Sequence, residues 1–310
     1  MFVVYRLIDR VHGNPFHVLD MLGPRMSVAS NIKIASRYFR TNDGVRLHYL
    51  EAGAGKPLIL VHGFSQSAEQ FKFQIEGLAD RYRVIALDLR GHGESEKPNF
   101  GLKIHRLAED LREALVAANA EDVTLLGHSM GCSVIWAYWE LFGADRLGKL
   151  VLIDEPPMLT SNPAWTPEEV EAAGSIFTSA SLWETANARS GPDGEAAARV
   201  FIEHCVSRNC PADVKEWIIQ CTLRMAGKDA AALFLNHACQ DWRDTIPRIT
   251  LPTLVIGGRV SLIPWKSMAW IAKQIPGAQL EIFEENEGGS HFMFMENPTR
   301  FNQIVSKFVA

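Results

Sequence analysis

Six short apolar runs, nearly all uninterrupted by polar residues, constrain this chain more than any other feature. They are LILV (58–61), RVIALD (83–88), VTLLG (123–127), KLVLID (149–154), PTLVIGG (252–258) and QLEIF (279–283). A strand that shows one face to water alternates apolar and polar residues, whereas a strand buried on both faces reads as a continuous apolar run. Between the runs lie helical patterns over 101–119, 130–142, 265–275 and 297–308. Strands that alternate with helices in this way predict an α/β fold, a mostly parallel sheet covered by helices on both faces. The segment 130–142 is apolar nearly all round, as a helix packed under that sheet would be. Ahead of the first run, SRYFRT, Asn42-Asp43-Gly44 and VRLHYLEAG read as a hairpin, in which Val45, Leu47 and Tyr49 alternate with polar Arg46 and His48.

The alternation stops after Asp154 and resumes at Pro252. The residues between are helical in pattern, broken at Pro163, Pro167, Gly191-Pro192 and Pro211, and they hold four of the eight tryptophans. The expected organisation is a core of residues 31–155 and 246–310 with a helical cap, 156–245, inserted between two core strands. Residues 1–30 match nothing in the core pattern; they read as a packed arm, or as an extension ahead of a start at Met21 or Met26.

Composition narrows the partners. The 310 residues are 47% hydrophobic and 22% charged, with a net charge of -5. That balance excludes disorder and gives no basis for a nucleic-acid or anionic-membrane partner. No run reaches the roughly 18 apolar residues of a membrane span. The five cysteines form no CxxC pair and show no metal-type spacing with histidine, and they read as free thiols. Arg6, Asp9, Arg10 and Asp20 interrupt the first residues, so a secretory signal is not expected and a cytoplasmic location is.

Chemistry concentrates in three loops. Gly127-His128-Ser129-Met130-Gly131 follows an apolar strand and precedes a long helix, the context of a GxSxG nucleophile elbow. The two glycines remove side chains that would collide in so tight a turn, and the helix start at Met130 aims backbone N–H groups at developing negative charge. His62-Gly63-Phe64 follows LILV; its Phe64 N–H and the Met130 N–H are the expected oxyanion donors, and His62 reads as a structural loop histidine. Gly288-Gly289-Ser290-His291-Phe292 lies between the last strand and the last helix, where His291 can take the serine proton. Asp88-Leu89-Arg90-Gly91-His92-Gly93-Glu94-Ser95 lacks the GK[ST] ending of a phosphate loop and reads as a structural turn, with Asp88 and Glu94 organising it. Asp241 and Asp244 read as linker features.

Together, HGF, DLRGHGES, GHSMG and GSHFMFMENP resemble the α/β-hydrolase superfamily over residues 36–155 and 245–310. The resemblance implies a catalytic aspartate after the penultimate strand. That loop here reads Gly257-Gly258-Arg259-Val260-Ser261-Leu262-Ile263-Pro264, with serine at the expected position and no Asp or Glu from Leu251 to Leu280. A minority of the superfamily carries the acid one strand earlier. Asp154 stands there as the expected acid, with its neighbour Glu155 as the alternative. Chain order Ser129, Asp154, His291 suits this fold.

The expected activity is a serine hydrolase, esterase- or lactonase-like, that cleaves an acyl bond through an acyl-enzyme. It would need no cofactor and no metal, and it would take an apolar small-molecule ester, lactone or other acyl substrate, some of the cap's Trp and Met residues facing the nucleophile. A serine nucleophile argues against the haloalkane dehalogenase and epoxide hydrolase readings, which need a carboxylate. An acyltransferase, C–C hydrolase or cofactor-free perhydrolase would use the same residues, and a non-catalytic ligand receptor is the remaining alternative.

Overall fold

The computed structural model describes residues 32–310, so the expectation for residues 1–30 lies outside the described residues. Eight strands form one sheet in the order β1-β2-β4-β3-β5-β6-β7-β8: β1 Ala35–Arg40, β2 Arg46–Ala52, β3 Pro57–Val61, β4 Arg83–Asp88, β5 Val123–His128, β6 Leu147–Ile153, β7 Thr253–Gly258 and β8 Gln279–Phe283. β2 runs antiparallel to both β1 and β4, and every other pairing is parallel. All six apolar runs are strands. The helices Ile104–Ala117, Met130–Phe142, Trp265–Gln274 and Pro298–Val309 lie within about three residues of the expected ends. The helix Lys72–Leu78, about two turns long after the β3 loop, carries too short a pattern to stand out in the sequence.

Core residues divide by the period of two along each strand. Ile59, Ile85 and Leu125 pack on one face with the helices Ile104–Ala117 and Met130–Phe142. Leu58, Leu60, Val84 and Leu126 pack on the other with Phe71, Phe294 and Phe301. From Met130 to Tyr138 every residue is buried, as the all-round apolar pattern required.

The hairpin forms as expected, but His48 does not face water. It is 2% exposed, with its ring bonded to Asp88 at 2.7 Å and to Ser36 Oγ at 2.8 Å. β2 is an interior strand, and its neighbours β1 and β4 supply Ser36 and Asp88 to the ring. Between β6 and β7 the chain makes five helices: Pro167–Ala173, Ser179–Ser190, Gly194–Cys205, Ala212–Leu223 and Gly227–Ala238. Pro167 is the first residue of its helix rather than a break, preceded by a Thr166–Glu169 capping box.

The strand order places the functional loops. The connection after β3 leads to β4 on one side and the connection after β5 leads to β6 on the other, so the two diverge and open a crevice beyond the carboxyl ends of β3 and β5. Below it, Arg90 is fully buried and binds Asp110 through Nε at 2.8 Å and Nη2 at 2.9 Å, with Asp43 on Nη2 at 2.9 Å. Removing one member of a buried pair strands the other. Asp110→Ala should therefore cost about 3–5 kcal/mol of stability, and Asp43→Ala, at a partly exposed site, should cost less. Urea unfolding of both variants checks the ranking.

Candidate active site

Ser129 stands at the end of β5 with φ +52° and ψ -128°, a conformation that disfavours any side chain. Neighbouring structure holds it there. Its N–H donates to Ile153 O at 2.8 Å, and its carbonyl accepts from Cys132 N at 2.7 Å. The glycines are steric requirements: a Cβ on Gly131 would lie 2.3 Å from Val61 O, and one on Gly127 would lie 2.7 Å from the Gly131 backbone. Gly63 has the same reason, since a Cβ there would sit 3.0–3.1 Å from His128 Nδ1 and Ser129 Cβ. The β3 loop therefore passes directly over the serine, and it brings Phe64 to the cavity that Ser129 and His291 also line. Neither the Phe64 nor the Met130 amide has a protein acceptor among the described residues.

Asp154 follows β6 with φ +53°, which aspartate tolerates better than most residues. Its N–H donates to Ile256 O at 2.9 Å, and the turn carries the carboxylate over the end of β7. There Oδ2 binds His291 Nδ1 at 2.7 Å and accepts from Ser261 Oγ, while Oδ1 accepts from Gly258 N at 3.2 Å. Asp154 is fully buried and His291 is 6% exposed. Glu155 points elsewhere: its Oε1 binds His237 Nε2 at 2.7 Å and accepts from Ser133 Oγ at 3.1 Å. The carboxylate that meets the His291 ring is Asp154. Gly258 is glycine because the histidine loop crosses it; a Cβ would lie 2.3 Å from Gly289 O.

The histidine loop is fastened from three sides. His291 N donates to Cys205 O at 3.0 Å, His128 Nε2 donates to His291 O at 2.9 Å, and Ser290 Oγ donates to Glu296 Oε1 at 2.5 Å. Among the described residues no hydrogen bond joins Ser129 Oγ to His291 Nε2, a contact that is commonly long in an empty site and tightens on substrate.

Two positioning groups escaped the sequence reading. Ser261 occupies the position where the family pattern expects an acid, and its hydroxyl donates to Asp154; the departure from pattern was visible, its partner was not. His128 carries no signal beyond its place before Ser129. His62 and Asp88 match expectation: His62 Nδ1 donates to Gly63 O at 2.8 Å and Nε2 accepts from Leu89 N at 3.0 Å, while Asp88 accepts from Ala68 N at 2.6 Å and Glu94 N at 2.9 Å. Asp241 pairs with Arg243, outside the cavity. The inserted segment lines the cavity with Phe177, from the connection before the helix Ser179–Ser190, and with Phe201, Ile202 and Phe234 from its helices. No Trp or Met of that segment does so, contrary to expectation: Trp217 and Trp242 are buried among the helices, and Trp183 faces water. The described residues contain no group of His, Cys, Asp and Glu that could hold a metal, and the five cysteines are unpaired.

A family model described as alpha/beta hydrolase fold matches residues 56–298. A non-heme chloroperoxidase from Kitasatospora aureofaciens is 27% identical over 283 residues, 87% of this chain and 98% of that protein. A thermophilic esterase from Thermogutta terrifontis is 28% identical, with a TM-score of 0.74 over 89% of this chain and 98% of that one. An esterase from Exiguobacterium antarcticum is 24% identical, with a TM-score of 0.80 over 88% and 99%.

Burial makes the histidines around the site sensitive to acid. It pushes His62 down from its ordinary value, His92 down to about 3, and His128 far down, the last with help from the neighbouring His291. Below the ordinary value of 6.5 the unfolded chain takes up protons that these folded rings refuse, so stability is lost as the pH falls from there. Each ring adds a slope of about 1.4 kcal/mol per pH unit. Urea midpoints should drop steeply from pH 6.5 to 4.5, and His92→Gln should make that drop shallower by about one proton.

Proposed function

Because the chain belongs to the alpha/beta hydrolase family, we propose that it is a serine hydrolase that cleaves a carboxylic ester or lactone through an acyl-enzyme. The observation that carries this reading is the buried 2.7 Å bond between His291 Nδ1 and Asp154, with Ser129 in the same cavity. A carboxylate on Nδ1 leaves Nε2 as the proton acceptor and stabilises the imidazolium that forms. Ser129 Oγ then attacks the acyl carbonyl and its proton passes to His291 Nε2. The negative oxygen that results lies against the Phe64 and Met130 amides, at the positive end of the helix Met130–Phe142. His291 returns the proton to the leaving oxygen, and water releases the acyl group by the same steps in reverse order.

Phenylalanines and isoleucine of the inserted segment line the cavity together with Ser129, which supports a cap function for residues 156–245 and an apolar acyl or alcohol group. Phe64, Phe201, Ile202 and Phe234 also line a second cavity between the inserted helices, so apolar space extends away from the serine. The name of the Kitasatospora relative favours a second reading, in which hydrogen peroxide replaces water at the acyl-enzyme and the product is a peracid with Ser129 restored. Peracid formation from acetate ester and peroxide would identify it.

Hydrolysis of short p-nitrophenyl esters tests the residues. Ser129→Ala should abolish turnover, and turnover at the wild-type rate would refute the reading. Asp154→Asn should lower kcat by about 10⁴, with Glu155→Gln costing far less; the reverse ranking would give Glu155 the role. Ser261→Ala removes one charge-assisted hydrogen bond from Asp154 and should lower kcat by about tenfold or more.

A further inference from the structure

Glu155, released from any part in holding His291, organises a second histidine in the same cavity. Its Oε1 takes hydrogen bonds from His237 Nε2 at 2.7 Å and Ser133 Oγ at 3.1 Å. Glu155 and His237 are 2% and 4% exposed, and both line the cavity that holds Ser129 and His291. Adjacent residues, Asp154 and Glu155, thus hold two imidazoles over one reaction space: one from the loop after β8, the other from the last inserted helix, Gly227–Ala238.

The two nitrogens of His237 are treated differently. Nε2 has its carboxylate, whereas Nδ1 is buried and has no partner among the described residues. His62 and His48 satisfy both nitrogens within the protein; His92 Nε2 is unpartnered among the described residues, but His92 does not line the cavity. His128 Nδ1 also lacks a partner, but Gly63 covers it. A buried polar atom left unpaired is costly, and native structures retain few without a ligand or water to satisfy them. Its tautomer follows from its partner. A carboxylate accepts only, so Nε2 carries the hydrogen and the neutral ring leaves a lone pair on Nδ1. Leu159, Phe177 and Phe234, which line the same cavity, carry no side-chain donor for that lone pair.

We propose that His237 is a substrate-positioning residue, its Nδ1 accepting a hydrogen bond from a hydroxyl or N–H group on the ester or lactone, away from the bond that is cleaved. This rests on the serine-hydrolase reading and narrows its substrates to otherwise apolar acyl compounds that carry one hydrogen-bond donor. Ser133 and Glu155 act through His237 by fixing the ring and its tautomer; neither reaches the substrate in this account.

The test compares kcat/KM within matched pairs: methyl 2- and 3-hydroxyalkanoates against the methyl alkanoates, and glycol monoesters against propyl esters. The ratio within each pair cancels any general loss of activity. Wild-type protein should prefer the hydroxylated member of at least one pair by about tenfold or more. His237→Phe keeps a ring without the acceptor and should bring that ratio near one. His237→Asn places an amide oxygen near the position of Nδ1 and should restore much of it. An equal preference in wild type and His237→Phe would overturn the proposal, and so would wild-type turnover with no preference in any pair, a result that needs no variant to fold. Wild-type protein that turns over none of these esters and takes no fluorophosphonate at Ser129 would remove the serine-hydrolase reading itself, and this one with it.

Discussion

The bond between Asp154 and His291 is the interaction on which the rest of the site depends. A carboxylate buried without partners costs several kcal/mol, and Asp154 is fully buried. It remains as a charge-accepting group because an imidazole N–H, the Ser261 hydroxyl and the Gly258 amide all donate to it. Each of those donors depends on a detail of backbone. The positive φ of Asp154 aims the carboxylate across the strand end, Gly258 lets the histidine loop pass, and the 257–264 loop brings a hydroxyl where a second carboxylate would have repelled the first. The site is a rearrangement of charge among three neighbouring strand ends, and it leaves the sheet unchanged.

Strain at Ser129 is sustained in the same way. The strained turn persists because β6 holds its N–H, the helix Met130–Phe142 begins immediately after it, and two glycines allow close passage of β3. The β3 loop, the β5 turn and the histidine loop then fasten one another, His128 tying the serine's predecessor to the carbonyl of His291. Buried neutral imidazoles form much of this support. They give fixed donors and acceptors without adding charge near Ser129, at the expense of stability in acid.

The sheet was legible because strands buried on both faces leave continuous apolar runs, and the elbow was legible because tight turns demand glycine at fixed spacing. Asp154 could be chosen only from an absence, the missing acid in the 257–264 loop. No local property of Asp154-Glu155 tells which carboxylate turns toward β7 and which toward the inserted helices; that follows from the positive φ of Asp154 and the direction of its neighbours. Alternation along β2 did not tell that polar His48 is buried; its ring is held by Asp88 and Ser36 from the neighbouring strands. The pocket wall was legible only as apolar: large aromatic residues mark a core, and whether tryptophan or phenylalanine reaches the cavity is decided by helix rotations that no short pattern records.

The measurement that bears most directly on the central claim is the rate at which a fluorophosphonate forms an adduct, located by mass spectrometry of the digested protein. A single adduct on the peptide containing Ser129, formed orders of magnitude more slowly in Asp154→Asn than in the native chain, is the result this account predicts. An adduct at any other residue, or equal rates in the two proteins, would contradict it.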